Sequence, residues 1–352
     1  MIRALRFLAA QRGLLGPPPP PEVVRCCGWE LDVIEPVGRW RGTILTVHGM
    51  SPLGRRDPRM LALHGALARI GFRVVSPAFP SIAELRIHAG QIDEVEHALL
   101  AVTEERSLCP QGRVALLSVS FSAGLSLIAA SRDRVAHRVR AVLSLGAYAD
   151  IHQTMEAVLT RDDLTSYAWT IVLASFLEAP TPVREALRSA AWDAWWVDRP
   201  GWEGAPAAPS LPAALAALAP AERALVDGIM GSPEVRLAQV RKVLDAHPLM
   251  LDLASVVDHV GGLRAPVTVL HGLRDRTIPS SQAGTLAQAL RAARVPHRVV
   301  VSPLLGHGEA TFDPAHLLGV PALLGAFEAF FEEAEAGARP APRVRDLVSA
   351  RV

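Results

Sequence analysis

Short, mostly apolar runs alternate with stretches of helical periodicity along this chain, and the alternation is broken once. Thr43-Ile44-Leu45-Thr46-Val47, Phe72-Arg73-Val74-Val75, Val114-Ala115-Leu116-Leu117 and Ala141-Val142-Leu143-Ser144-Leu145 read as strands, with helical patterns over 59–70, 92–105 and 123–130 between them. From about Tyr148 to His259 there are helical patterns and proline breaks but no convincing strand. The alternation resumes with strand Val267-Thr268-Val269-Leu270, a helix over 281–292, strand 298–301 and a last helix over 321–333. Strands apolar along their whole length must be covered on both faces, which predicts an α/β fold: a mostly parallel central sheet with helices on both sides. A helical block interrupting such a sheet is expected as a cap over the C-terminal strand ends, where open α/β sheets bind ligands.

The expected organisation is a core of 23–147 and 260–335, a helical cap of 148–259, an N-terminal arm of 1–22 and a tail of 336–352. Five consecutive prolines, Pro17 to Pro21, can form neither helix nor sheet interior. The arm therefore reads as a stiff spacer after a short amphipathic helix, with a membrane-surface or partner-docking arm as the second reading. The basic, apolar opening imitates a signal peptide but is broken by Gln11 and Arg12, so the cytoplasm is the expected compartment. Thirty-six basic against thirty-five acidic residues argue against a nucleic-acid binder that lives on phosphate neutralisation. Half the residues are apolar, enough to offset the ordering entropy, yet the run from Tyr167 to Leu177 is about half a membrane span. Cys26, Cys27 and the remote Cys109 make neither a disulfide framework nor a zinc-site spacing.

Four local features fall at strand ends. Ser118-Val119-Ser120-Phe121-Ser122-Ala123-Gly124 joins a strand to a helix, where small residues allow a sharp turn that lifts a hydroxyl above the sheet and aims the next N–H at an oxyanion. Serines stand where G-x-S-x-G has glycine, and Ser122 also satisfies a small-x-Ser-x-Gly register. A serine-rich helix cap is the plain alternative. His48-Gly49-Met50 follows the first strand, where a glycine permits close backbone approach and the Met50 N–H can serve as a second donor. His271-Gly272-Leu273-Arg274-Asp275-Arg276-Thr277-Ile278-Pro279 carries an acid, whose plain alternative is a loop salt bridge. Leu305-Gly306-His307-Gly308-Glu309 carries a histidine between glycines.

Serine, acid and histidine in this chain order, each after a strand, resemble the α/β-hydrolase superfamily over roughly residues 23–335. The resemblance implies Ser120 as nucleophile, Asp275 as acid, His307 as base, and the backbone N–H groups of Met50 and Phe121 as oxyanion donors. It implies an acyl-enzyme mechanism on a small-molecule ester or thioester, with neither metal nor organic cofactor. Carbon–carbon or lactone hydrolysis, or ligand binding without catalysis, stay open as alternatives. A serine at the elbow disfavours the dehalogenases and epoxide hydrolases of the family, which use aspartate there. Asp150 is a second candidate acid. Trp169, Trp192, Trp195, Trp196 and Trp202 crowd the expected cap, first as packing and second as an acyl-pocket wall. Arg55-Arg56-Asp57 reads as solvated loop charge, with contact to an anionic substrate group as the second reading.

Overall fold

The computed structural model describes residues 1–160, 166–197, 210–246, 254–306 and 319–335. Its centre is an eight-stranded sheet in the order β1-β2-β4-β3-β5-β6-β7-β8. The strands are β1 (Glu22–Cys26), β2 (Trp29–Ile34), β3 (Gly42–Val47), β4 (Phe72–Pro77), β5 (Val114–Val119), β6 (Val139–Leu145), β7 (Val267–Gly272) and β8 (His297–Ser302). From β4 to β8 all pairings are parallel, whereas β1 pairs antiparallel with β2, and β2 antiparallel with β4. The β1–β2 hairpin is absent from the sequence expectation. Its signal is the two-residue turn Cys27-Gly28 (φ 53° and 82°), the type I′ geometry that matches strand twist. β1 is an edge strand that is only half covered, so no continuous apolar run announces it.

Helices cover both faces because β3, β4 and β7 are buried at every position. On one face lie α4 (Gly90–Glu104), α5 (Phe121–Ser131) and α13 (Ser281–Ala292). The other face holds α1 (Ile2–Gln11), α2 (Pro58–Arg69) and α14 (Val320–Ala334). Two short helices, α3 (Pro80–Ala83) and α6 (Asp133–Ala136), finish connections. The α1 helix of the N-terminal arm packs into this second layer. Phe7 is fully buried, its ring 4.9 Å from that of Phe327 and 5.3 Å from that of Phe331, and Arg3 pairs with Glu328 at 3.1 Å and Glu335 at 2.8 Å.

Between β6 and β7 the described residues hold only helices: α7 (Ile151–Thr160), α8 (Ser166–Phe176), α9 (Thr181–Val197), α10 (Leu211–Ala216), α11 (Pro220–Gly231) and α12 (Pro233–Ala246), besides short 3-10 turns. Trp169 and Trp195 are buried among them, and the Arg236 guanidinium lies 4.6 Å from the centre of the Trp169 ring. Trp202 lies outside the described residues. Among the described residues no helix is long and apolar enough to cross a membrane.

Candidate active site

Ser120 occupies the turn between β5 and α5 with φ 59° and ψ −141°. This conformation costs a non-glycine residue about 1–3 kcal/mol. The turn is over-determined by its neighbours: the Ser120 N–H donates to the Leu145 carbonyl (2.7 Å), and the Ala123 N–H donates to the Ser120 carbonyl (2.9 Å). Ser122 instead lies within the first turn of α5, wholly buried, with its hydroxyl lacking a partner among the described residues. Gly124 lets α5 pass the buried ring of Tyr148, since a Cβ there would lie 2.2 Å from that ring. Tyr148 in turn stacks on Phe121, centroids 5.3 Å apart.

A cavity of about 160 Å³ opens beside Ser120 and gathers residues from distant parts of the chain. The loop after β3 contributes Gly49, Met50 and Ser51. A Cβ on Gly49 would come within 3.3 Å of Ser120 Cβ, so the bare glycine lets this loop approach the serine. His48 fixes the loop from behind. Its ring Nδ1 donates to the Gly49 carbonyl at 2.9 Å, and burial pushes its pKa down to about 4, which keeps the imidazole neutral. The Tyr167 hydroxyl, from the inserted helices, donates to the Met50 carbonyl. Phe121 is the first residue of α5, and the N–H groups of a helix's first turn lack intrahelical partners.

Asp275 lines the same cavity and is 8% exposed. Its Oδ1 accepts from the N–H groups of Thr277 (2.8 Å) and Ile278 (2.9 Å), and its Oδ2 lies 3.5 Å from His271 Nε2. His271 donates to the Ile278 carbonyl at 3.0 Å, closing the loop that holds the acid. A chain of close approaches joins acid to serine. The Gly146 N–H donates to the Leu270 carbonyl (2.8 Å), and a Cβ on Gly146 would lie 3.5 Å from Asp275 Oδ2. Gly146 directly follows Leu145, whose carbonyl holds Ser120. Asp150 is used differently: its Oδ1 accepts from the Gln153 N–H (3.0 Å) at the start of α7.

His307 lies outside the described residues. The two residues before it, Leu305 and Gly306, line the cavity. Gly272 makes their approach feasible, because a Cβ there would sit 2.5 Å from the Leu305 carbonyl oxygen and 3.0 Å from that of Gly306. Backbone cannot swing aside as a long side chain can. Gly272→Ala is therefore expected to destabilise the chain by about 1–3 kcal/mol and to shift the 305–306 segment. Urea melts of the two proteins check this, and equal midpoints would mean that the loop relaxes freely.

The arginine cluster after β3 is not solvated loop charge throughout. Arg55 is buried and pairs with Asp32 (3.0 Å) and Glu30 (2.7 Å), while Arg56 reaches Asp32 at 3.4 Å. The two side chains are drawn to carboxylates on β2, a strand the sequence expectation lacks. Instead Asp57 and Arg59 line the cavity as a bidentate pair at 3.0 and 2.8 Å. Burial alone would raise the Asp57 pKa, but the Arg59 guanidinium holds it below the ordinary value. Leu8 and Gln11 of α1 also line the cavity, and no local motif marks them or Tyr167 for that role.

No protein-family model and no curated protein matches the sequence. Solved structures do match. A Mycobacterium tuberculosis puromycin-hydrolyzing peptidase aligns with a TM-score of 0.53 at 18% identity, over 92% of this chain and 40% of that one. An acylaminoacyl peptidase in complex with a chloromethyl ketone gives 0.50 at 14% identity, over 93% of this chain and 44% of that one. A truncated carbohydrate esterase from gut microbiota gives 0.50 at 16% identity, over 87% and 90% of the two chains. The chain has the α/β-hydrolase fold. It spans less than half the length of the two peptidases. Within this fold Ser120 lies in the turn between β5 and α5, and the loop after β7 carries Asp275.

Proposed function

We propose that this chain is a serine hydrolase acting on a carboxylic ester or thioester through an acyl-enzyme. The observation that carries the reading is the cavity shared by Ser120 in its left-handed turn, buried Asp275, the Gly49–Met50 loop and the two residues preceding His307. In the proposed mechanism His307 takes the Ser120 proton as the hydroxyl oxygen attacks the substrate carbonyl. The Met50 and Phe121 N–H groups stabilise the resulting oxyanion. His307 then gives its proton to the leaving alkoxide or thiolate. Water, activated by the same imidazole, releases the carboxylic acid and restores the serine. Asp275, held by two backbone N–H groups, keeps the productive tautomer of His307 and supports its charged form.

Leu8, Leu63, Trp195, Leu323 and Phe327 on the cavity wall support an apolar acyl group. Tyr167 and Trp195, both from the helical insertion, support its role as a cap. The test is a panel of p-nitrophenyl esters, acyl thioesters, lactones and carbon–carbon substrates, run with wild type, Asp275→Asn and Asp150→Asn. Asp275→Asn is expected to lower kcat by about 10³–10⁴-fold while Asp150→Asn retains most activity. The reverse pattern moves the acid to Asp150. Medium-chain acyl groups are expected to exceed acetyl in kcat/KM, with at most about 0.8 kcal/mol per buried methylene. A flat series removes the apolar-pocket reading.

A further inference from the structure

Away from this cavity, the tip of the β1–β2 hairpin meets the C-terminal end of α4. Cys26 ends β1, Cys27 occupies the first position of the I′ turn, and Glu105 caps α4. The two Sγ atoms lie 3.0 Å apart, and Cys26 Sγ is 3.9 Å from Glu105 Oε2. All three ligand atoms fall within 4.8 Å of one another, the sole convergence of its kind among the described residues. Adjacent cysteines on an extended strand point to opposite faces; the left-handed turn at Cys27 brings these two to one side. Cys27 is exposed and Cys26 half-buried, so the group is open to solvent.

We propose that Cys26, Cys27 and Glu105 form a binding site for a thiophilic divalent cation of the zinc or cadmium kind. Two thiolates and one carboxylate oxygen supply three corners of a tetrahedron, and water takes the fourth. On binding, the two thiols release two protons to solvent and the cation takes both sulfur lone pairs; no electron is transferred. The bound ion ties the edge hairpin to α4. Cys26 pairs in register with Trp29, whose ring packs on Phe79, so an indole reports on the site.

The test titrates the reduced full-length chain with Cd²⁺, following the cadmium–thiolate charge-transfer absorbance, and with Zn²⁺ against a chromogenic chelator. One ion per chain, a raised Tm and changed tryptophan emission are expected. The absorbance should vanish in Cys26→Ser and Cys27→Ser and the affinity fall in Glu105→Gln, with ester hydrolysis without added metal unchanged. Exposed Cys27 is the substitution least exposed to folding failure. Absorbance that persists in both cysteine variants, which would point to buried Cys109, overturns the site. So does the absence of any response, or unchanged affinity in Glu105→Gln. Loss of two hydrogens from the chain, mapped to a Cys26–Cys27 disulfide that forms in air and resists mild reductant, would make the pair a redox element and also overturn it.

Discussion

Replacing Ser120 by alanine is expected to lower hydrolytic kcat by about 10³-fold or more, while Ser122→Ala keeps most of it. The two serines are two residues apart, yet their surroundings differ in kind. Ser120 holds φ 59° at the head of α5 and lines the cavity. Ser122 is wholly buried inside the helix, and its hydroxyl has no partner among the described residues. Removing an unpartnered buried hydroxyl costs little, so Ser122→Ala should stay within about 1 kcal/mol of wild type in stability. Ser120→Gly should gain about 1 kcal/mol, because glycine takes a positive φ without strain, and should be as inactive as Ser120→Ala. Fluorophosphonate treatment followed by digestion and mass spectrometry locates the adduct. A labelled Ser122, with Ser120→Ala still reactive, would shift the elbow by two residues. A chain that is never labelled would be a binding protein.

Stability is expected to fall by about 3–5 kcal/mol as pH drops from about 7 to about 4.5, chiefly through two buried histidines, one directly after β3 and one on α2. His48 and His64 are both 1% exposed, and burial, the largest cause, pushes their pKa values down to about 4 and about 3. Below the ordinary histidine value of about 6.5 the unfolded chain binds protons that the folded chain refuses. The contribution is therefore complete above that value and is lost as pH falls toward the folded values. Asp57 works in the same direction but in a lower window, since its folded pKa lies below the ordinary carboxylate value. His64 shares a 2.9 Å hydrogen bond with the Thr46 hydroxyl, so His64→Gln keeps a polar partner while removing one titration. Urea titrations at about pH 7 and about pH 5 should show roughly half the wild-type loss in His64→Gln. A wild-type stability flat across that range would mean that these imidazoles are protonated or hydrated in the folded chain.

The alternation of apolar runs and helical periodicity carried the sheet from β3 to β8 and the helices between them, because burial on both faces is written into adjacent residues. Ser120 and Asp275 were singled out for a related reason: each lies within three residues of its strand's end, and parallel strands deliver their C-terminal ends to one edge, whereas His307, singled out in the same way, lies outside the described residues. The β1–β2 hairpin was present in the sequence as Cys27-Gly28, but an edge strand that is half exposed leaves no apolar run to detect. What the sequence alone determined was thus local: which segments are strands, in what order, and which polar residues sit at their ends. The tertiary structure decided which serine takes the left-handed turn, which aspartate faces the cavity and which caps a helix, and which arginine reaches the cavity. It also brought Leu8 and Gln11 of the first helix and Tyr167 of the insertion to the same place. Those outcomes depend on sheet order and helix docking between residues more than a hundred positions apart, which no periodicity within a short window encodes.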